Sequence, residues 1–299
     1  MKIFNKIPDF EFVDKQKYAA GLSVLFLLIG IVAMGLMGIR YGIDFQGGTL
    51  VQAKFSGTPP MAKIRSSLGK SLNETVEIST FGEPEDNEIM ITLPQEALAK
   101  KGSDLQNTLT GILTSQFPTF EEIRRVESVG PKVGGELRNK ALQAGLYALA
   151  GILLYISFRF RFNFAFGAVA ALFHDVLITM GIIVILEKDF TLSIVAALLT
   201  IIGYSLNDTI VVFDRIRENI ARLPKSKLDR IINLSINESL SRTILTSVTT
   251  FIVVFILFMF GGQIIHDFCF AMLIGLVVGT YSSIFVASPV MMALDRFKS

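Results

Sequence analysis

Asp208 stands near the end of a long apolar run, Phe190 to Phe213, inside the segment GYSLNDTIVVFDRIREN (203–219). A run of that length can cross a bilayer as a helix. A carboxylate inside a span costs about 2.5–3.5 kcal/mol on insertion scales, so an ionisable group there marks a site that is used. A carboxylate that takes up and releases a proton can couple a proton gradient to motion, since each charge crossing 100 mV is worth about 2.3 kcal/mol.

Thr200, Tyr204, Asn207 and Asp208 fall at i, i+4, i+7 and i+8, one polar stripe of a helix. Arg242, Thr246, Thr249 and Thr250 repeat that spacing in the next apolar run. Asp208 lies about 8 Å from the end of its span at helical rise, a depth that an arginine at a helix end can reach. A blander reading stands beside this one. Arg242 can snorkel to headgroups, and Asp208 can be a static packing partner. His174 and Asp175, in FHDVLITMGII, form a second ionisable pair near mid-span; proton relay and fixed interhelical contact both fit them. His266 and Asp267 read as interfacial. Asp214, Arg215, Arg217 and Glu218 read as a solvated helix end with i,i+3 pairs. The spacing of Gly275 and Gly279 is a packing signal.

These residues need elements to carry them, and the composition says which. Hydrophobic residues make up 51% of the chain and charged ones 18%, below the roughly 25% of soluble proteins; mean hydropathy is +0.55. Six apolar stretches have spanning length: Tyr18–Ile39, Ala141–Phe158, Phe164–Leu186, Phe190–Phe213, Ile244–Phe260 and Phe268–Leu294. Basic residues cluster in the arm 1–17, at Arg159 and Arg161, in the segment 214–242 and in the tail 295–299. By the positive-inside bias both termini are cytoplasmic. The first span, 18–39, lacks a small-residue cleavage site and reads as an uncleaved signal-anchor. Cys269, the single cysteine, leaves no internal disulfide to form.

Residues 40–140 are polar and charged and form the extracytoplasmic domain between spans one and two; spans two to six occupy 141–294. Gly48–Phe55 alternates as a strand. Pro59 and Pro60 open a helix to about Leu72. Val76–Phe81 and Glu88–Leu93 are short strands, Ser103 and Asp104 cap a helix through Phe117, and Ile123–Val129 is a last strand. The βαββαβ order is that of a ferredoxin-like α+β domain. GPKVGGEL (130–137) reads as a flexible lead into the second span. No phosphate loop, metal-ligand cluster or nucleophile–base–acid set is present, so no enzyme, metal or cofactor is expected, and the basic loop points to lipid and topology, not nucleic acid.

Seven segments carry a family resemblance: YGIDFQGG (41–48), VGPKVGGEL (129–137), FRFRFNFAFG (158–167), FHDV (173–176), GYSLNDTIVVFDRIREN (203–219), LSRTILTS (240–247) and FGGQIIHDF (260–268). Along nearly its whole length the chain resembles the SecF family of the bacterial Sec protein-export system, itself similar to resistance-nodulation-division transporters. Gln46 departs from the threonine frequent there. The resemblance implies a polytopic protein of the inner membrane in complex with SecD, working with the SecYEG channel and with YajC and YidC as further partners. It implies that the proton-motive force completes preprotein translocation after the SecA step. It also implies that Asp208 and Arg242 are the proton-pathway pair and that the outer domain contacts emerging unfolded chain. Two other functions stay open: a proton-coupled efflux or lipid transporter subunit, and a passive translocon scaffold.

Overall fold

The computed structural model describes residues 7–82, 84–94 and 105–296. The chain divides into two compact units, Met1–Arg40 with Ala144–Ser299, and Tyr41–Gln143. The first opens with helix α1 (Gln16–Met37).

In the second unit a one-turn helix α2 (Ile43–Gln46) leads into β1 (Gly48–Phe55). Helix α3 (Met61–Leu72), β2 (Glu77–Phe81), β3 (Glu88–Leu93), helix α4 (Leu105–Gln116) and β4 (Phe120–Val129) follow. Ser103 and Asp104 lie outside the described residues. The sheet order is β2-β3-β1-β4, with every neighbouring pair antiparallel. Alternation decides which face is buried. Val51, Ala53 and Phe55 of β1 and Ile89, Ile91 and Leu93 of β3 point into a core closed by Ile64 and Leu68 of α3 and Leu109 and Leu113 of α4.

The two glycine motifs of this unit meet. Gly47 and Gly48 have φ of 77° and 141°, a region that penalises side chains. Gly134 lies so close to the α2 turn that a Cβ there would be 3.1 Å from the Phe45 carbonyl oxygen. The segment 130–137 is therefore not a flexible lead. It is the start of a continuous helix α5 (Pro131–Arg159), with Pro131 at the first helical position, where its missing N–H costs nothing.

In the first unit α6 (Phe162–Ile185), α7 (Leu192–Arg222), α8 (Leu228–Phe260) and α9 (Gln263–Ser282) follow. A π-helical turn, Ser283–Ala287, joins α9 to α10 (Ser288–Arg296). Among the described residues, six helical stretches are long and apolar enough to cross a membrane. The basic segment 214–242 is mostly helix, with only residues 223–227 between α7 and α8.

Helix α6 is the most buried of these spans, and small residues set how closely its neighbours approach. A Cβ on Gly181 would lie 2.6 Å from Gly30 Cα of α1. One on Gly167 would lie 2.6 Å from the Ala287 carbonyl oxygen. Gly275 and Gly279 admit Ile201 and Ser205 of α7, as their spacing predicted. At one end Phe160, Phe164 and Phe213 pack ring to ring, and α8 holds the N-terminal arm. The Asn237 amide donates to the Phe10 carbonyl and accepts from the Phe10 N–H, and Asn233 accepts from the Phe12 N–H.

Gly181→Val should force α1 and α6 apart and lower stability by about 1–3 kcal/mol. Gly21→Ala, whose Cβ meets nothing within 4 Å, should leave the melting temperature of the detergent-purified chain unchanged.

Candidate functional site

Helix α7 starts cleanly because Thr191 caps it, its hydroxyl accepting from the Ile194 N–H at 3.4 Å. From that start Ser205 and Asp208 lie three residues apart, nearly one turn, and both are buried. They serve two different polar clusters.

The first cluster lies between α7, α8 and α9. Asp208 is 2% exposed. Its carboxylate accepts from the Ser247 hydroxyl at 3.3 Å and the Thr246 hydroxyl at 3.5 Å, both long contacts. Thr280 of α9 backs Ser247 at 2.8 Å. Tyr204 spans the same seam, its hydroxyl 2.8 Å from the Thr246 carbonyl and 3.1 Å from the Thr250 hydroxyl. Among the described residues no ion pair joins Arg242 to Asp208 or to another carboxylate. Arg242 is exposed and stands one helical turn before Thr246, whose hydroxyl contacts Asp208. Asn207 is also exposed, on the side of α7 turned away from Ser205 and Asp208. Thr200 and Thr249 donate to carbonyls of their own helices, the ordinary resting place of a threonine in a span.

The second cluster is more tightly bonded. Asp175, 1% exposed, sits on α6 and receives donors from two other helices. Ser205 of α7 donates to its Oδ2 at 2.5 Å and Ser282 of α9 to the same oxygen at 2.8 Å. Its Oδ1 lies 2.9 Å from His174 Nδ1. His174 Nε2 faces the Ser23 hydroxyl of α1 at 3.1 Å, and Ser23 faces the Tyr281 hydroxyl at 3.1 Å. Tyr281 donates to the Ala19 carbonyl at 2.7 Å.

The remaining charged groups lie at the ends of the bundle. Asp214 pairs with Arg217 at 3.3 Å, as the i,i+3 spacing predicts, and also with Arg159 of α5 at 2.7 Å. Glu238 takes Arg222 at 3.0 Å and Arg215 at 3.7 Å, and accepts from Asn219 at 2.7 Å. At the other end Asp267 meets Lys188 at 2.8 Å and His266 packs on Phe258. All of these groups are half-buried or exposed except Asn219, which is buried.

Sequence reasoning had Asp208, Tyr204, His174 and Asp175, and of the hydroxyls that hold them Thr246 and Thr250 but not the others. Ser205 was legible, one turn before Asp208 in GYSLND. Ser23, Ser247, Thr280, Tyr281 and Ser282 were not, since nothing in an apolar run tells a partnered hydroxyl from an idle one.

Two family descriptions match the chain: "Protein export membrane protein SecD/SecF, C-terminal" over residues 110–296, and "SecD/SecF GG Motif" over residues 32–59. The chain is 46% identical to the protein translocase subunit SecF of Magnetococcus marinus, over 99% of this chain and 95% of that protein. It is 47% identical to the SecF subunit of Desulfurispirillum indicum, over 93% and 89%. Among solved structures it is similar to SecDF of Thermus thermophilus, described as a translocon-associated membrane protein, with a TM-score of 0.86 and 34% identity. The match covers 97% of this chain and 39% of that longer one. A SecDF structure in a "super-membrane-facing" form matches with a TM-score of 0.71.

If Asp208 and Arg242 are not in contact at rest, the stability effects of Asp208→Asn and Arg242→Gln should add to within about 0.5 kcal/mol in the purified chain. A coupling well above that, read from thermal unfolding of the two single variants and the double variant, would contradict the geometry.

Proposed function

The chain belongs to the SecD/SecF family as a SecF-type subunit of the Sec protein-export machinery, and from that premise we propose that Asp208 and Arg242 let it draw on the proton-motive force. It is a multi-pass membrane protein, a subunit of the SecD/SecF complex, whose family role in general is not catalytic.

One observation carries the proposal: a carboxylate buried within a span and held, among the described residues, by only two long hydroxyl contacts, with a guanidinium that pairs with no described carboxylate one turn from one of them. The charge of such a carboxylate can be balanced in two ways. It can take a proton, or Arg242 can swing to it. The two exclude each other, so proton arrival releases Arg242 and proton departure draws it back. Tyr204, Thr246 and Ser247 tie α7 to α8 across this seam, so a change in pairing is a change in how two spans pack. One charge moved through 100 mV biases a two-state packing equilibrium by about 2.3 kcal/mol, roughly fifty-fold. Asn207, exposed and turned away from Asp208, takes no part in this exchange.

In this proposal both termini and the segment 214–242 face the cytoplasm, and the unit 41–143 lies outside the inner membrane. Its βαββαβ order and fully antiparallel β2-β3-β1-β4 sheet support a ferredoxin-like reading. It contacts the emerging preprotein, and the repacking of spans moves it so that the substrate does not slip back. SecYEG is the channel served, after the SecA step, with YajC and YidC alongside.

Export assays in inverted membrane vesicles test this. Asp208→Asn keeps shape and hydrogen bonding but cannot exchange a proton; it should abolish the part of export that responds to the proton gradient and spare the ATP-driven part. Arg242→Ala should match it, with Arg242→Lys partly restoring the response. Undiminished gradient-dependent export in Asp208→Asn would overturn the proposal and leave a passive scaffold. A SecD-free homo-oligomer carrying bound lipid would point instead to efflux.

A further inference from the structure

The second buried cluster permits a count of hydrogens. Four contacts run in series: Asp175 Oδ1 to His174 Nδ1 at 2.9 Å, His174 Nε2 to Ser23 Oγ at 3.1 Å, Ser23 Oγ to the Tyr281 hydroxyl at 3.1 Å, and that hydroxyl to the Ala19 carbonyl at 2.7 Å. Each bond needs one hydrogen.

The far end fixes the direction. A carbonyl only accepts, so the Tyr281 hydrogen is spent on Ala19. The bond between Ser23 and Tyr281 must then use the Ser23 hydrogen. Ser23 has none left for His174, so the hydrogen between them is on Nε2. A neutral imidazole carries one hydrogen, and that places it. Nδ1 would then turn a bare lone pair on the Asp175 oxygen 2.9 Å away, which is repulsive if that oxygen is an ionised carboxylate. The contact is attractive only with a further hydrogen, on Nδ1 or on Oδ1.

We propose that His174 and Asp175 form a proton-binding site, separate from Asp208, that holds one proton beyond a neutral imidazole and an ionised carboxylate. That proton completes the hydrogen-bonded chain from α6 to α1 and α9. Asp175 Oδ2 is already served by the Ser205 and Ser282 hydroxyls, so the extra proton belongs to the Oδ1 side. The other groups in the chain are hydroxyls and a backbone carbonyl; among the described residues no second charged side chain bonds to the pair. Removing the proton leaves one of the four contacts without a hydrogen, so occupancy of this site is linked to the attachment of α1 to the bundle. Proton exchange at Asp208 is not required for it.

The chain has only two histidines, which makes the site open to spectroscopy. The full chain with His266→Gln, carrying ¹⁵N-histidine, would be placed in lipid bilayers near neutral pH and examined by solid-state NMR. Two results support the proposal. One is an imidazolium with both ring nitrogens protonated. The other is a ring protonated at Nε2 alone, together with a carboxylic acid C=O infrared band that Asp175→Asn removes. A ring protonated at Nδ1 alone overturns it, as does an Nε2-protonated ring with no such band. Should His266→Gln not accumulate, the unsubstituted chain gives the same reading, with His266 assigned by its response to bulk pH. Export assays do not enter, so this test and that of Asp208 fail separately.

Discussion

Inside hydrocarbon a polar atom finds its partners on the protein or not at all, and Asp175 makes the heaviest such demand in this bundle. Its two oxygens draw donors from α7 and α9 and meet His174 of α6, which extends the network to α1. Leaving such a group unsatisfied would cost several kcal/mol. Four spans are thereby held in one relative arrangement, because a slide of any of them removes a donor. The small residues follow from this. Gly279 lets α9 approach α7 closely at Ser205, and Gly181 lets α1 approach α6. The π-helical turn begins at the residue after Ser282, where α9 changes register; Ser288 donates to the Ser283 carbonyl across it.

Asp208 presents the opposite case on the same helix. Three residues from Ser205, it is as deeply buried but far more loosely held. A carboxylate bonded on both oxygens by short contacts is a fixture. One held by two hydroxyls at 3.3 and 3.5 Å has room to change partners. Helix α7 thus carries an anchored serine on one face and an adjustable carboxylate on a neighbouring one.

Several features were open to reading from the residues alone, for identifiable reasons. The strands Gly48–Phe55 and Glu88–Leu93 were legible because alternation fixes one buried face. The spans were legible because twenty apolar residues have few alternatives to a helix in lipid. Helix ends were less so. Helix α8 begins at Leu228, well before its apolar run, since a helix leaving the bilayer continues as an amphipathic one and hydropathy sees only the buried half. The glycine-rich 130–137 misled because glycine usually signals flexibility. Here Gly134 is needed for closeness to Phe45, a contact between residues far apart in the chain.

From the order of amino acids alone it followed that six apolar helices and one charged α/β unit would form, and that Asp208, His174 and Asp175 would lie within spans. Those are consequences of local hydropathy and periodicity, which each segment carries unaided. Folding in three dimensions settled the rest: which hydroxyl meets which carboxylate, that Arg242 stands off from Asp208, and that Ser23 and Tyr281 complete the chain begun at His174. Such partners come from different helices, and the close crossings at glycine that align them are properties of pairs of segments, which no single segment encodes.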